Sequence, residues 1–297
     1  MIALGGNAMT GPDGSASAGD QHSAVEEAMR QVRVIMDAGH QVILTHGNGP
    51  QVGNLLLKNQ MAAAVVPPMP LDWCGAQTQA TIGMLILNAL GGRTAALVTR
   101  TLVDAGDQGF TDPSKPIGRY FGEAEARTFE ALGQHWRQFG KGWRRVVASP
   151  EPLEILDAPA VGTLMADGFT VVAAGGGGVP VVRQADGTLT GVEAVIDKDL
   201  AAAVLARAVQ ATVLIIATDV PNAVIGFGGS DPRPIERISP DELRVLHAAG
   251  HFAGGSMGPK VEAALRFVAN GGSRAVITSL REITQAMAGK VGTRVEK

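Results

Sequence analysis

The amino-acid sequence predicts an α/β fold in which the strands of a mainly parallel sheet alternate with helices. Short apolar runs, many of them rich in β-branched residues, alternate with longer Ala-rich stretches whose apolar residues have helical spacing. Strands that alternate with helices form parallel β-α-β units with right-handed crossovers. The chain has 297 residues, of which 45% are hydrophobic, so it can fill a substantial core.

The predicted strands are short and apolar, and we place them at residues 1–4, 41–45, 95–99, 170–174, 213–217 and 275–278. The predicted helices are longer and amphipathic, and we place them at residues 23–38, 75–90, 123–139, 152–167, 198–209, 240–249 and 259–270. Gly39, Gly91, Gly168 and Gly271 directly follow four of these helices, in positions typical of left-handed C-terminal caps. The predicted helix ends are therefore supported by a second signal.

One segment, residues 106–147, departs from this alternation. It contains polar turns, Pro113, Pro116 and two of the three Trp residues around a single predicted helix. We predict that this segment is an inserted flap or a small subdomain.

Composition excludes several classes of protein. The net charge is -3 and the Lys and Arg residues are scattered, whereas a nucleic-acid surface requires clustered cations. Cys74 is the single cysteine, so neither an intramolecular disulfide nor a Cys-based metal site can form. No run of about 18 apolar residues occurs, so we expect no membrane span and a reducing, cytoplasmic location.

Four glycine clusters, at residues 4–7, 46–50, 175–178 and 254–260, are the most informative feature of the chain, and the first three directly follow an apolar run. Glycine permits sharp turns and close approach of the backbone to a ligand, and a turn from a strand into a helix exposes N–H groups at the positive end of a helix dipole. A single cluster would predict only a tight turn. Four clusters predict a site for several phosphates or an acyl phosphate.

Lysines at two predicted helix starts suggest where an anion binds. Lys198 and Lys260 each begin an Ala-rich helix, where a cation opposes the helix dipole unless an anion is bound there. Asp199 could hold Lys198 in place, although Lys198 could also be a solvated charge and Asp197 a helix cap.

Two further segments could contribute to such a site. Lys115 stands between Pro113 and Pro116, which restrict its backbone, and it suits either a lid or a surface turn. Thr218, Asp219 and Val220 follow a predicted strand, at the sheet edge where open α/β folds bind ligands. Asp219 could bind a nucleotide or cap a turn.

The motifs of several other enzymes are absent from the sequence. There is no Gly-x-x-x-x-Gly-Lys-Ser/Thr loop, no Gly-x-Ser-x-Gly nucleophile elbow, and Val52 replaces a glycine that a dinucleotide-binding fingerprint requires. His247 and His251 have the spacing of a metal-binding pair, but Gly250 is expected to end the helix between them. Cys74 has an apolar setting that favours a buried side chain over a nucleophile.

Taken together, the motifs resemble those of the carbamate kinases of the amino acid kinase family, along essentially the whole chain. The matching motifs occur in the order of that family, at residues 3–8 (ALGGNA), 45–53 (THGNGPQVG), 115–118 (KPIG), 143–147 (WRRVV), 191–200 (GVEAVIDKDL) and 255–260 (GSMGPK). Residues 2–4 carry no lysine, which distinguishes the carbamate kinases from many other members of the family.

The resemblance implies a three-layer αβα sandwich around a mainly parallel sheet, a single domain over residues 1–297, and a homodimer. An N-terminal lobe, about residues 1–190, would bind carbamate and carry the flap, and a C-terminal lobe, about residues 191–297, would bind the nucleotide. The implied reaction is reversible, Mg²⁺-dependent phosphoryl transfer between ATP and carbamate, giving ADP and carbamoyl phosphate, within arginine or purine nitrogen catabolism.

The same resemblance assigns roles to individual residues. Lys198 and Lys260 would contact the phosphates of the nucleotide and the transferring group, Lys115 would reach in from the flap, and Asp199 would orient the lysines. The carbamate and the incoming phosphoryl group would be held by backbone N–H groups of Gly5, Gly6, Asn7, Gly47, Asn48 and Gly49. The remaining implied contacts to the nucleotide come from Thr218, Asp219, Val220, Met257 and Gly258, and no resident metal ligand is implied.

The sequence departs from the carbamate kinase pattern at Ala80, Met84, Arg100 and Ala148. Two alternatives therefore stay open. One is a related phosphotransferase that acts on another small carboxylate or phosphate. The other is a catalytically weakened regulatory or ligand-binding relative, against which the retained Lys115, Lys198, Asp199 and Lys260 argue.

Overall fold

The computed structural model describes residues 1–11, 17–229, 231–252 and 257–297, apart from the side chains of Asn7 and Ala8. Its centre is an eight-stranded sheet with the order β15-β17-β16-β12-β1-β2-β9-β3. Neighbouring strands are parallel except for β16 and β17. The strands, in chain order, are β1 (Ile2–Leu4), β2 (Ile43–His46), β3 (Thr94–Ala96), β4 (Arg100–Leu102), β5 (Lys115–Phe121), β6 (His135–Phe139), β7 (Gly142–Val147), β8 (Glu154–Ile155), β9 (Thr170–Val172), β10 (Val179–Arg183), β11 (Leu189–Gly191), β12 (Val213–Thr218), β13 (Val224–Ile225), β14 (Arg233–Pro234), β15 (Arg237–Ile238), β16 (Arg274–Ser279) and β17 (Thr293–Glu296).

The helices lie between strands along the chain, and α1, α3 and α10 cover one face of the central sheet while α7, α8 and α9 cover the other. They are α1 (Ala18–Asp37), α2 (Gly49–Ala62), α3 (Leu71–Leu90), α4 (Gln108–Thr111), α5 (Glu123–Glu130), α6 (Ala158–Ala166), α7 (Lys198–Ala208), α8 (Pro240–Ala248), α9 (Met257–Ala269) and α10 (Ile283–Met287). Short 3₁₀ segments occur at Gly6–Met9, Gly175–Gly177 and Leu280–Glu282.

Three layers follow from the alternation of side chains along the central strands. In β1, Ile2 and Leu4 pack against α1, α3 and α10, whereas Ala3 packs on the opposite face against α7, α8 and α9. The central strands are buried on both faces, which is why they consist of continuous apolar runs rather than alternating ones. The predicted α/β sandwich with a mainly parallel sheet is confirmed.

A three-stranded antiparallel sheet, with the order β5-β7-β6, lies outside the central sheet. Together with α5 it occupies residues 115–147, and we call this segment the flap sheet. Phe121, Phe129 and Trp136 form an aromatic cluster inside it, with ring centroids 5.2 to 5.8 Å apart. This small core of its own sets the segment apart from the alternating strands and helices. The sequence predicted such a segment at residues 106–147 with a single helix, whereas the flap sheet begins at Lys115 and a second helix, α4, precedes it.

The structure corrects the predicted helix at residues 123–139. The helix ends at Glu130, and residues 135–139 form strand β6. Gly133, at φ 84°, turns the chain in a conformation that favours glycine. Trp136 is buried while its neighbours His135 and Arg137 are exposed, which is the alternation of a strand paired with β7.

Other elements also differ from prediction. The predicted strand at 95–99 corresponds only to β3, which ends at Ala96, and the next strand, β4, begins beyond the predicted range at Arg100, in a four-stranded sheet with β8, β10 and β11. The predicted helix at 152–167 begins only at Ala158, because residues 154–155 pair with β4. Helix α2 was not predicted, since Gly49, Pro50 and Gly53 weaken its helical signal.

Across the residues that the structure describes, no helix combines the length and apolar character needed to cross a membrane.

Candidate active site

A cleft of about 1310 Å³ opens at the carboxyl edge of the central sheet. Its walls include residues that directly follow four parallel strands: Gly5 after β1, Gly47 after β2, Asp219 after β12 and Leu280 after β16. In open α/β sheets this edge is where ligands bind, because the loops and helix N-termini converge there. Glycines of the first three clusters and the predicted lysines meet in this cleft.

The first two glycine clusters pack directly against each other. A Cβ on Gly47 would lie 2.8 Å from the backbone N and Cα of Gly6, which is closer than real Cβ atoms approach other atoms. The absence of side chains thus lets the turns after β1 and β2 share one wall of the cleft. Helix α2 begins at this wall, and its N-cap, Asn48, makes no side-chain capping bond. The side chain of Asn48 donates instead to Thr78 Oγ1, at 2.8 Å.

The tetraglycine at residues 175–178 forms the turn between β9 and β10. A Cβ on Gly175 would overlap the ring of His46, and one on Gly176 would overlap the side-chain amide of Asn48. Gly176 also has φ 64° and lines the cleft. The tetraglycine therefore seats His46 and Asn48 beneath the site.

Lys198, Asp199 and Lys260 form a buried ionic cluster at the beginning of two helices. Lys198 Nζ lies 2.5 Å from Asp199 Oδ1, and Lys260 Nζ lies 2.9 Å from Asp199 Oδ2. The exposed fractions of these side chains are 13% for Lys198, 3% for Asp199 and 6% for Lys260. One carboxylate thus holds two ammonium groups side by side, which leaves an excess positive charge facing the cleft.

The cause of this arrangement is local. Asp197 caps α7, because its Oδ1 accepts hydrogen bonds from the N–H groups of Asp199 and Leu200. Lys198 and Asp199 are consequently the first two residues of α7. Lys260 stands near the start of α9, which packs against α7 through small and apolar residues such as Ala202, Ala206 and Val261.

Burial and neighbouring charges shift the ionisation of this cluster. Burial lowers the pKa of Lys198, and the nearby charge of Lys260 lowers it further against the opposing attraction of Asp199. Burial acts to raise the pKa of Asp199, but the charges and hydrogen bonds of the two lysines outweigh it, so that pKa lies below its ordinary value. Asp199 is therefore a stable anion at neutral pH.

Lys115 reaches the cluster from the flap sheet. Its Nζ donates to Asp197 Oδ2 at 2.7 Å, while the other oxygen of Asp197 caps α7. Lys115 remains 37% exposed, so its ammonium group faces both Asp197 and the open cleft. A single carboxylate therefore joins the flap sheet to the helix that carries Lys198.

His46 is a buried neutral group below the cleft. Burial lowers the pKa of His46 to about 4, opposed by its hydrogen bond with the carbonyl of Gly47 and assisted by the charge of Lys198. The ring Nδ1 lies 3.0 Å from that carbonyl oxygen, which assigns the proton to Nδ1. The sequence did not predict a role for His46 itself, because a histidine between a strand and a glycine carries no distinctive signal.

Most of the predicted site residues come together in the cleft. The described residues that line it include Gly5, Gly6, Gly47, Asn48, Gly49, Lys115, Lys198, Asp199, Thr218, Asp219 and Lys260. Val220, Met257 and Gly258 do not line it, and Met257 packs instead against the core beside α9. Asn7 has its backbone in the 3₁₀ segment after β1, but its side chain is outside the described residues, as are residues 254–256 of the fourth glycine cluster.

One expected backbone donor is engaged elsewhere. The N–H of Gly47 donates to the carbonyl of Leu4 at 2.9 Å, which continues the pairing of β1 with β2. This N–H group does not point to the cleft, so it cannot be one of the backbone donors expected to hold the carbamate and the phosphoryl group. The reason is that the parallel ladder extends one residue beyond the end of the strands.

The structure also places two unpredicted cations in the cleft, Arg144 from β7 and Arg281 after β16. Arg144 belongs to the WRRVV motif, which could have identified it as a site residue. No sequence signal pointed to Arg281. The four departures from the family pattern, at Ala80, Met84, Arg100 and Ala148, do not line the cleft. Ala80 and Met84 are exposed on α3, and Arg100 pairs with Asp157.

Comparison with known proteins agrees with this geometry. The model of the amino acid kinase family matches residues 1–279. Carbamate kinase from Thermococcus kodakarensis is 44% identical over 310 residues, covering 99% of this chain and 98% of the relative. Carbamate kinase 1 from Enterococcus faecium is 43% identical, covering 100% of this chain and 98% of the relative.

Solved structures show the same relationship. Carbamate kinase from Giardia lamblia bound to AMP-PNP superimposes with a TM-score of 0.92 at 44% identity, covering 100% of this chain and 97% of that one. The two proteins therefore share both their architecture and more than 40% of their sequence over nearly the full length of each chain. The chain therefore belongs to the amino acid kinase family, among its carbamate kinases.

Proposed function

We propose that this protein transfers a phosphoryl group reversibly between ATP and carbamate, giving ADP and carbamoyl phosphate. The observation that carries the proposal is the pair of lysines, Lys198 and Lys260, held by Asp199 at the cleft. Two buried ammonium groups beside one carboxylate suit a ligand with several negative charges. The full-length similarity to carbamate kinases selects which phosphoryl transfer we propose.

In the proposed reaction a carbamate oxygen attacks the γ-phosphorus of ATP. A bond forms between that oxygen and phosphorus, the bond from phosphorus to the β-γ bridging oxygen breaks, and ADP leaves with the electron pair. Carbamate is already an anion, so no general base has to remove a proton. Catalysis must then come from positioning and from neutralising charge on the transferring group.

The cationic groups of the cleft have distinct positions for this task. We assign Lys198 and Lys260 to the phosphates and the transferring group, because Asp199 fixes both ammonium groups in a buried setting where charge interactions are strong. Lys115 would bind from the flap side when it exchanges its contact with Asp197 for a substrate oxygen. Asp199 acts as a positioning residue.

The glycine turns supply the remaining contacts. We assign Gly5, Gly6, Asn7, Asn48 and Gly49 to the carbamate and to the incoming phosphoryl oxygens. Asn48 gives no side-chain cap to α2, so the N–H groups of the first turn, apart from Pro50, which has none, are placed to serve as donors near the cleft. Thr218 and Asp219, at the end of β12, are placed to contact the nucleotide.

Magnesium fits this site as an ion carried by the nucleotide. Within the described ranges no three His, Cys, Asp or Glu side chains gather closely enough to hold a metal ion. The carboxylates of Asp197 and Asp199 are already bonded to lysines and to the start of α7. Mg²⁺ is commonly held by substrate phosphates with one or two carboxylates, for which Asp219 is placed, and it would neutralise phosphate charge.

The proposal also covers the two lobes, the oligomeric state, the location and the metabolic role of the protein. We propose a carbamate-binding lobe over about residues 1–190, a nucleotide-binding lobe over about residues 191–297, a homodimer, and a cytoplasmic role in arginine or purine nitrogen catabolism. The exposed Trp73 and Met84 on α3 give such a dimer an apolar surface to bury.

The test is the rate of ATP formation from ADP, carbamoyl phosphate and Mg²⁺. We expect fast turnover in the wild type, with losses of at least about 100-fold in Lys198→Ala and in Lys260→Ala. Lys115→Ala should lower turnover with little effect on ADP affinity. Lys141→Ala, on the exposed turn between β6 and β7, and Lys290→Ala, also exposed, are the controls and should keep wild-type rates.

A folded wild type that binds ADP but makes no ATP from carbamoyl phosphate would contradict the proposal. Acetyl phosphate and other small acyl phosphates in the same assay would then separate the two alternatives. ATP formation from one of them would indicate a related phosphotransferase, and inactivity with all of them would indicate a regulatory relative.

A further inference from the structure

Arg144 is a half-buried residue on the cleft side of the flap sheet, and one nitrogen of its guanidinium, Nε, is unpaired within the described residues. It belongs to β7 and lines the cleft with Lys115 and Pro116. Its Nε is buried and has no hydrogen-bond partner in the part of the chain that the structure describes. A buried donor on a charged group is costly unless a partner is supplied, so this site calls for an acceptor.

Three other arginines of the flap sheet have carboxylate partners, either within it or beside it. Arg127 pairs with Glu130 at 2.8 Å, Arg137 with Asp112 at 2.5 Å, and Arg145 with Glu193 at 3.8 Å. Arg144 differs from these three because it faces the cleft. The acceptor would therefore come from a ligand.

The Arg144 guanidinium lies over the ring of Tyr120. The Arg144 Cζ lies 5.3 Å from the centroid of the Tyr120 ring, within the range of a cation–π contact. A guanidinium oriented in this way loses little freedom on binding, and its fork of donors matches two oxygens of a carboxylate or a phosphate.

The flap side of the cleft adjoins the turn that follows β2. A Cβ on Gly53, in α2, would lie 2.8 Å from Gly118 in β5, so the flap sheet touches α2 closely. Helix α2 starts at this turn, and both Gly49 and Pro50 line the cleft. An anion next to Arg144 is thus close to the glycine turns and to Lys115.

We propose that Arg144 binds the small acyl phosphate substrate, by pairing its guanidinium with oxygens of the carbamoyl or phosphoryl group. The inference rests on the proposed function and names a further substrate-binding residue for it. Arg144 is assigned to the acyl phosphate rather than to ADP because it lies with the flap sheet and the glycine turns. Replacing it should therefore weaken one substrate and spare the other.

The test compares Arg144→Gln with Arg119→Gln by steady-state kinetics in the direction of ATP formation. Arg119 is the matched control, because it also lies over an aromatic ring of the flap sheet, that of Phe121 at 4.5 Å, but is exposed and does not line the cleft. We expect Arg144→Gln to raise the KM for carbamoyl phosphate about tenfold or more, with the KM for ADP changed by less than about twofold. Arg119→Gln should match the wild type.

Arg144→Lys keeps the charge but loses the planar fork, and it should give an intermediate KM for carbamoyl phosphate. The midpoint of thermal unfolding should stay close to that of the wild type in both Arg144 variants. Unchanged KM values for carbamoyl phosphate in a folded Arg144→Gln variant would overturn the assignment. Equal increases in both KM values would also overturn it, because they would indicate a general disturbance of the cleft.

A binding titration separates this inference from the proposed function. Calorimetry without nucleotide measures the affinity of the wild type and of Arg144→Gln for carbamoyl phosphate and for acetyl phosphate. If the wild type binds an acyl phosphate without making ATP, the proposed function fails, but a tenfold weaker affinity of the variant still supports the role of Arg144. If the wild type binds neither compound, both the function and the inference fail.

Discussion

Asp199 and Lys260 form a buried ion pair that joins the first turns of two helices 61 residues apart, with Asp199 Oδ2 2.9 Å from Lys260 Nζ. The other oxygen of Asp199 binds Lys198, the preceding residue. The position of both ammonium groups therefore depends on one carboxylate. Its removal would leave two like charges facing each other in a buried setting.

We expect Asp199→Asn to lose stability and activity together. Removing one partner of a buried charge cluster costs about 3 to 5 kcal/mol, because the remaining charges are left uncompensated. Urea denaturation should show this loss in the free energy of unfolding. Asp167→Asn, which removes an exposed partner of Arg93, should cost less than about 1 kcal/mol. A stability near that of the wild type in Asp199→Asn would contradict the structural role given to this carboxylate.

Lys198→Ala should lose much of its turnover but little of its stability, unlike Asp199→Asn. The variant keeps the pair between Asp199 and Lys260, so no buried charge is left alone. The stability of Lys198→Ala depends on this remaining pair, because an unpaired charge in this buried setting would be destabilising. The test compares the midpoint of thermal unfolding and the rate of ATP formation of the variant with those of the wild type. A loss of stability as severe as the loss of turnover would show that Lys198 is mainly structural.

His46 should make the protein less stable in mild acid. Its pKa is about 4 in the folded protein and 6.5 ordinarily, so the folded state binds fewer protons than the unfolded state. Stability is therefore fully present above pH 6.5 and is lost as the pH falls toward 4, by about 3 kcal/mol in total. Asp199 acts in a lower window, because its lowered pKa makes stability fall only below its ordinary value of 3.8.

Replacement of the imidazole separates these effects. The free energy of unfolding of His46→Gln, measured from pH 7.5 to pH 4, should lack the part of the acid dependence that His46 contributes. A variant whose pH dependence equals that of the wild type over this range would show that His46 is not the group responsible.

Gly176→Ala should damage the site, whereas Gly187→Ala should not. Both glycines have positive φ, 64° and 87°, so alanine is strained at either position. Only at Gly176 would the added Cβ overlap another group, the amide of Asn48, since no atom lies within 4 Å of the corresponding position at Gly187. We expect a further loss of about 1 to 3 kcal/mol in Gly176→Ala, with lower turnover. Denaturation curves and turnover that match between the two variants would contradict the packing described.

Local patterns were sufficient for the central architecture and for much of the candidate site. The buried strands are continuous apolar runs, and the glycines after helices such as α1 and α6 have the expected positive φ, at Gly39 and Gly168. The helix starts at Lys198 and near Lys260 could be placed because Asp197 and Pro259 are characteristic first-turn residues. These signals lie within a few residues of the feature that they predict.

The errors arose where a distant partner decides the local structure. Residues 135–139 are a strand because β7 pairs with them, and the strand predicted at 95–99 stops at Ala96 because the chain leaves β9 there and pairs with β10, in another sheet, from Arg100 onward. Neither His46 nor Asn48 gave any warning that the tetraglycine packs against them, and Thr45 gave none that its Oγ1 bonds to Ala174, 129 residues away. Propensity is a weak signal when pairing across the sequence competes with it.

By itself the sequence determined the alternation of strands and helices, the glycine turns and the chemical identity of the charged groups, because these depend on residue type and spacing. Only the tertiary structure decided which charges meet: that Asp199 holds both Lys198 and Lys260, that Asp197 holds Lys115, and that Arg144 faces the cleft. The physical reason is the separation along the chain of the residues that interact. Helix caps and turns involve neighbours in the chain, whereas an ion pair requires side chains from distant elements within about 4 Å of each other, and only the packing of the layers fixes that distance.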